Sequence, residues 1–196
     1  MRVFFAVPLL FGLVACTSSN APPAGVIAYS CVAGEALHLM AFDPHPSRRA
    51  WATLGGGAQK GESPAQTALR EFTEESNCAY RGTEIDISQL KGPSISTGVP
   101  FHLYSLEVPF KPVDEIAQTR QCVDIERSQW VWVRHLDLMR AMNQYDETKQ
   151  EQLTVPTVQG QPAQVPLWNR GVESLKKAIR DGVLPETINC DSTRLS

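Results

Sequence analysis

Residues 55–77 restrict the fold of this chain more than any other stretch. Gly55-Gly56-Gly57 is followed by Gly61-Glu62 and then by Ser63-Pro64-Ala65-Gln66. Serine at the cap, proline at the first helical position and glutamine three residues past the serine make a capping box. The spacing therefore predicts a helix across 62–77. Ala65, Ala68, Leu69 and Phe72 recur at helical spacing and mark its buried stripe. Asn77 stands where the helix should stop, because asparagine accepts the left-handed backbone of a C-terminal cap. The glycines ahead of the helix form a tight loop that a ligand can approach closely.

The polar side of that helix carries the chemistry. Glu71, Glu74 and Glu75 are related as i, i+3 and i+4 and share one face. Three like charges repel, and a bound cation would remove the repulsion. Clustered carboxylates suit hard divalent ions such as Mg²⁺ or Mn²⁺. At about 100° per residue the acidic face falls away from Leu69 and Phe72, so the carboxylates are expected to point outward. Three carboxylates alone would read as a solvated surface. The glycine loop beside them favours a site that offers backbone contacts and a metal platform to one phosphate-bearing molecule.

The rest of the chain reads as one α/β domain over 26–184, followed by a tail, 185–196. Residues 26–32 and 36–42 form a hairpin, although the first segment does not alternate cleanly. A loop follows at 43–49, then a short strand at 51–54 that runs into the glycines. A strand is expected at 100–108 and a long polar surface loop at 111–129. A strand at 130–133 feeds a helix at 137–145. Residues 154–166, rich in proline and glutamine, read as loop. The last helix starts near Pro166, carries Trp168, Val172, Leu175 and Ile179 on one stripe, and ends at Gly182. Strands mixed with helices in this order predict a single sheet with mixed pairing.

The first fifteen residues stand apart from this domain. After Arg2, residues 3–15 are apolar and uncharged. That run is too short to span a bilayer but suits the apolar region of a signal peptide. It ends in Leu13-Val14-Ala15-Cys16, which resembles the lipobox of bacterial lipoproteins. The resemblance implies cleavage before Cys16, lipidation of that cysteine and a flexible tether over 16–25. It places the protein in the cell envelope, anchored to a membrane and facing the periplasm. Thr17, rather than Asp, after the cysteine points to the outer membrane. A plain secretory signal is the alternative. Cys31, Cys78, Cys122 and Cys190 then remain, an even number that in an oxidising compartment implies two disulfides. Three pairings are possible. Cys31–Cys190 with Cys78–Cys122 is preferred, since it joins the chain ends and ties the end of the helix to the loop before Trp130. Four buried thiols are the alternative, Cys78 first among them.

The net charge of −3 argues against a sequence-independent nucleic-acid binder and against a polybasic membrane surface. A phosphorylated small molecule remains compatible with it, if metal ions neutralise the charge locally.

The helix and its loop resemble the Nudix box, G-x5-E-x7-R-E-U-x-E-E-x-G-U, where U is bulky and apolar. Gly56, Glu62, Arg70, Glu71, Phe72, Glu74 and Glu75 fall on their pattern positions, and Cys78 takes the last apolar place. Asn77 replaces the family's glycine, and Leu54 stands where proline is common. The match covers residues 56–78 of 196. The resemblance implies a Nudix fold, a mixed β-sheet sandwiched between helices. It implies metal ligation by Glu71, Glu74, Glu75 and the Gly56 carbonyl, with Mg²⁺ or Mn²⁺ as cofactor. Glu74 and Arg70 join the catalytic set, Arg70 by holding the glutamates through charged hydrogen bonds. Glu62, Gly55 and Gly57 orient the loop. The implied reaction is attack of an activated water on the diphosphate of a nucleoside diphosphate derivative.

The family often draws one more carboxylate from outside the box. Asp114, Glu115, Asp124 and Glu126 are candidates here, Glu126 first because it is closest to a strand. Pro93, fifteen residues past Cys78, hints at ADP-ribose pyrophosphatases. Phe101, Tyr104 and Trp130 are candidates for stacking on a base. The alternative reading is a Nudix-fold lipoprotein that binds nucleotides without turnover. The intact glutamate set favours the enzyme.

Overall fold

The computed structural model describes residues 21–119, 122, 127–146, 148–149, 151–160 and 162–190. Its framework grows from one hairpin, β1 (Ala24–Val32) and β2 (Glu35–Asp43). Ala33 and Gly34 join the strands with φ of 50° and 82°, the positive angles that match a two-residue turn to strand twist. Both strands take further partners. β1 pairs antiparallel with β4 (Leu54–Gly56) and parallel with β6 (His102–Glu107). β2 pairs antiparallel with β3 (Ala50–Ala52) and β7 (Trp130–Arg134). β5 (Lys91–Ile95) lies antiparallel along the edge of β6.

The hairpin is central, so its strands are buried on both faces. This explains why β1 lacks clean alternation: a strand covered on both sides needs no polar face. Ile27 and Met40 point into one core with Leu138, Met142, Val172 and Leu175. Val26, Ala28, Leu39 and Ala41 point into the other with Ala68, Phe72 and Ile116. Helices α1 (Pro64–Glu75) and α2 (Val113–Gln118) cover the second face. α3 (His135–Gln144) and α4 (Asn169–Arg180) cover the first. The expected sheet between helices, in one domain, is what forms.

Several expectations change. The single strand expected at 51–54 is two, β3 and β4, because the chain switches at Thr53 from pairing with β2 to pairing with β1. The surface loop at 111–129 contains α2, too short for a periodic signal, whose Ile116 is fully buried. The loop at 154–166 is a small hairpin, β8 (Thr154–Pro156) and β9 (Gln164–Pro166), with Val155 and Val165 buried in register. Its prolines sit at strand ends, where a missing N–H costs nothing. The last helix therefore starts after Trp168 rather than near Pro166, and α3 begins at His135, directly off β7. Gly182, with φ of 73°, ends α4 as expected. β5 escaped notice because only Ser94 of its five residues is buried and it contains Pro93.

The described residues past α4, 181–190, are fixed to the domain. Cys31 and Cys190 are bridged, as are Cys78 and Cys122, with Cα separations of 5.3 and 5.4 Å. The pairing is the preferred one, and the four-thiol alternative falls. Beside the first bridge, His38 Nε2 lies 2.9 Å from His135 Nδ1, and His135 Nε2 lies 2.9 Å from the Glu186 carbonyl. A carbonyl only accepts, so neutral His135 carries its proton on Nε2 and accepts one from His38. Burial, then the adjacent His135, pushes His38 down to about 3. β1 begins at Ala24, so the last two residues read as tether, 24 and 25, lie in the sheet. Residues 1–20, with Cys16 and the expected signal, lie outside the described residues.

Candidate active site

α1 starts as its sequence dictates. Ser63 Oγ accepts from the Gln66 N–H at 3.3 Å, and Gln66 Oε1 accepts from the Ser63 N–H at 2.8 Å. Its end is specific to this chain. Asn77 and Cys78 adopt φ of 55° and 56°, and the Cys78 N–H returns to Thr73 O at 2.8 Å. The Asn77 side chain donates to the carbonyls of Ile116 and Thr119 at 2.8 and 2.5 Å. Asparagine thus replaces the box glycine with two hydrogen bonds that glycine could not make, tying α1 to the end of α2. The Cys78–Cys122 bridge reinforces the same junction.

The glutamates do not all point outward. Glu71 and Glu75 are buried, and only Glu74 is half-exposed. The glycine loop is the reason. β4 and its glycines run so close to α1 that a Cβ at Gly56 would collide with the Glu71 carboxylate. The Gly55 N–H donates to Glu75 Oε2 at 2.6 Å. A Cβ at Gly55 would in turn meet Gly25 Cα at 2.6 Å and the Ala24 carbonyl at 2.8 Å, so β1 and β4 cross with no room for a side chain. The expected outward face is turned inward because backbone N–H groups and arginines satisfy its oxygens there.

Two arginines take up the charge. Arg70 Nε donates to Glu62 Oε1 at 2.7 Å, and its Nη1 to Glu71 Oε1 at 2.9 Å and to Glu74 Oε2 at 2.7 Å. Its Nη2 reaches the Gly57 carbonyl at 2.6 Å. Glu62 also accepts from the Gln59 N–H and the Thr67 hydroxyl, so it fixes loop and arginine together. The Arg70 bond holds Glu62 at about 2, below the usual carboxylate range. Glu62, ahead of Glu71 and Glu74, in turn raises Arg70.

Arg127 donates from Nε to Glu75 Oε1 at 2.8 Å, adds a second bond to that oxygen from Nη2, and reaches Asp43 Oδ2 with Nη1 at 2.9 Å. Arg48 Nε meets the same Asp43 oxygen at 2.9 Å. Burial pushes the Glu75 carboxyl up, to about 7, against the pull of Arg127 and the Gly55 N–H. Burial works against the charge on Arg127, and Glu75 and Asp43 outweigh it.

Beyond the glycines opens a cleft of about 660 Å³. Gly55, Gly56 and Gly57 border it, with Thr53, Asp43 and Arg127, and α4 supplies the facing wall. Phe101 lines it and would touch a Cβ at either Gly25 or Gly55. Trp168 lines it too, under the Arg48 guanidinium at 5.7 Å. Of the stacking candidates, only Phe101 is placed to serve. Tyr104 and Trp130 are core residues, and the Trp130 Nε1–H donates to Glu75 O.

Asp114 and Glu115 stand exposed on the first turn of α2, away from the cleft lining. Asp124 and Glu126 lie outside the described residues. Asp43, Arg48, Arg127, Trp168 and the α4 wall escaped the sequence reading. They converge from distant segments, and no local spacing marks them.

Among the described residues no three His, Cys, Asp or Glu side chains stand grouped as a ready metal site. The donor set still fits a hard divalent cation. Three carboxylates lie on one helix, with the backbone of Gly56 pressed against one of them, and such oxygens suit a hard cation.

The NUDIX domain model matches residues 22–153. No curated protein matches. Among solved structures, a MutT/nudix family protein from Enterococcus faecalis superposes with a TM-score of 0.54 at 16% identity. That match covers 84% of this chain and 62% of that one, and it shows a common fold. A C. elegans Ap4A hydrolase binary complex matches at 22% identity and TM-score 0.39, over 60% of this chain and 83% of that one. The NUDIX domain of Shewanella oneidensis NrtR, complexed with ADP ribose, matches at 14% and 0.47, over 83% and 88%.

Proposed function

The chain belongs to the Nudix family, and from that premise we propose that it is a pyrophosphohydrolase that cleaves the diphosphate linkage of a nucleoside diphosphate derivative with the help of Mg²⁺ or Mn²⁺. The observation that carries this reading is the packing of the glycine loop. The loop presses on the box glutamates with one side and borders the cleft with the other, so only the glycine backbone separates a diphosphate in the cleft from the carboxylates.

Glu71, Glu74, Glu75 and the Gly56 carbonyl would hold the metal. When bound, it supplies Lewis acidity, activating water and neutralising charge on phosphate. Arg70 keeps Glu71 and Glu74 together, and Glu62 keeps Arg70 against the loop. Arg127 holds Glu75 in place from the opposite side and lines the cleft. Phe101 offers an aromatic face to the base. Glu126, next to Arg127 in sequence, is the candidate base.

The half-exposed Glu74 gives the cleanest test, since Glu75 is also a structural partner of Arg127. Glu74→Gln should lower kcat/KM at least a hundredfold, about 3 kcal/mol of barrier, with the thermal midpoint little changed. Turnover at the wild-type rate would remove the proposed site. Phosphomonoester products from a panel of nucleoside diphosphate derivatives, read as phosphate freed by an added phosphomonoesterase, with and without Mg²⁺, identify the substrate and separate turnover from mere binding.

The reading extends to location. Cys16 is the proposed lipid attachment point on an envelope protein facing the periplasm. Two disulfides support an oxidising compartment. Mass analysis of the mature N-terminus tests it: an unmodified terminus beyond residue 16 would refute the anchor.

A further inference from the structure

The cleft carries charge opposite in sign to the chain. The chain has a net charge of −3. Arg48, Arg127, Arg170, Lys177 and Arg180 nevertheless line the cleft against only two acids, Asp43 and Glu173. Near the glycine loop the charges balance locally, for Arg127 is bonded to Glu75 and Asp43, and Arg48 to Asp43. The surplus therefore resides on α4, where Arg170, Lys177 and Arg180 stand against Glu173 in the lining and Asp181 beside it, leaving one positive charge in excess with Arg170 and Arg180 as its exposed carriers.

Arg170, Lys177 and Arg180 are seven and then three residues apart and fall within about 80° of helical arc, so they share one wall over roughly 15 Å. A single diphosphate is far shorter than this wall. Arg170 and Arg180 are exposed. Lys177 is steadied by Asp181 at 2.9 Å, and Asp181 is held by the Ser94 hydroxyl at 2.6 Å. Between these cations Ser174 approaches Ser96 of the opposite rim at 3.3 Å, so the wall is anchored across the cleft. Cations spread along a walled cleft raise the local concentration of an extended anion more than that of a short one.

We propose that Arg170, Lys177 and Arg180 form a second anion site in the cleft, and that the substrate bears phosphate beyond the diphosphate that is cleaved. The inference rests on the diphosphate-cleaving reading above for its reaction, but the anion site itself does not.

The test uses the full chain. Calorimetry with inorganic tripolyphosphate in metal-free buffer should show binding that Arg170→Ala/Arg180→Ala weakens at least tenfold. Removal of a charge remote from the cleft, Lys149→Ala, should leave that binding unchanged. The kcat/KM ratio of diadenosine tetraphosphate to ADP-ribose should fall at least tenfold in the same double variant. Equal tripolyphosphate affinity in wild type and double variant, or none in the wild type, overturns the inference whatever is hydrolysed. Loss of tripolyphosphate binding in the variant, with no nucleotide hydrolysed by the wild type, upholds the anion site and fails the hydrolase reading instead.

Discussion

Arg70 and Arg127 do similar work at the two ends of the box helix, and they differ in where their partners come from. Arg70 sits in α1 and gathers Glu62, Glu71, Glu74 and the Gly57 carbonyl, all within thirteen residues of itself. Arg127 lies beyond the helix and gathers Glu75, 52 residues away, and Asp43 from the end of β2. The first network is local and partly open to water. The second is long-range, and its side chains are almost wholly buried. An ion pair formed within one helix helps to build that helix. One formed between a strand, a helix and a loop fixes their mutual placement, and its loss leaves charge buried.

This difference sets the expected effects of mutation. Arg127→Ala should be the most damaging change, destabilising the fold by about 3–5 kcal/mol, because Glu75 is left buried without its counter-charge. Urea titration at neutral pH measures this. A cost below that of Arg70→Ala would break the comparison. Cys78→Ser with Cys122→Ser comes next, at about 2–4 kcal/mol. It releases the junction between the end of α1 and the segment leading to Arg127, so kcat/KM should fall along with stability. A loss of stability without loss of activity would show that the bridge does not help to place Arg127.

Arg70→Ala should cost less, about 1–2 kcal/mol, since water can reach part of its network. Millimolar Mg²⁺ should restore some of that loss, as a cation bound among the same carboxylates stabilises the folded state. A thermal shift insensitive to Mg²⁺ would count against the metal reading of Glu71 and Glu74.

The smallest effect belongs to Glu62 and appears only with pH. Its folded pKa, about 2, lies below the ordinary value of 4.5. Its contribution is therefore full above about 4.5 and disappears as pH falls toward 2. Glu62→Gln should cost under about 1 kcal/mol at neutral pH after solvent screening. The two melting curves should converge in acid. A constant gap across that range would assign the effect to something other than the Arg70 bond.

The same contrast explains what could be read from sequence. The Arg70 network was legible because helical spacing behind a capping box puts the three glutamates on one face, and the resemblance to the Nudix box assigns Arg70 and Glu62 to them. The hairpin and the end of α4 at Gly182 were legible for similar local reasons. Arg127 was not, since nothing in its neighbourhood announces a partner on another element. The inward turn of Glu71 and Glu75 was missed because helical spacing orders side chains around an axis and says nothing of a glycine strand arriving from outside. β8 and β9 were hidden by prolines that mark loops in most settings and strand ends here. The cleft wall on α4 needed the third dimension, as Arg170, Lys177 and Arg180 face Gly55–Gly57 only once the sheet has brought both helices round.

The Cys31–Cys190 bridge gives the molecule an uneven response to pulling. Force applied between its two ends would enter through β1, cross the covalent link and leave at residue 190. Everything from 32 to 189 lies on a closed ring outside that path and bears no tension. The ring holds the glycine loop, the box helix, Arg127 and α4, which is the whole of the proposed site. Among the described strands and helices, only the first seven residues of β1, paired with β2, β4 and β6, stand in series with the load. A tug on the N-terminal segment would therefore peel one strand while the working parts of the molecule stayed slack.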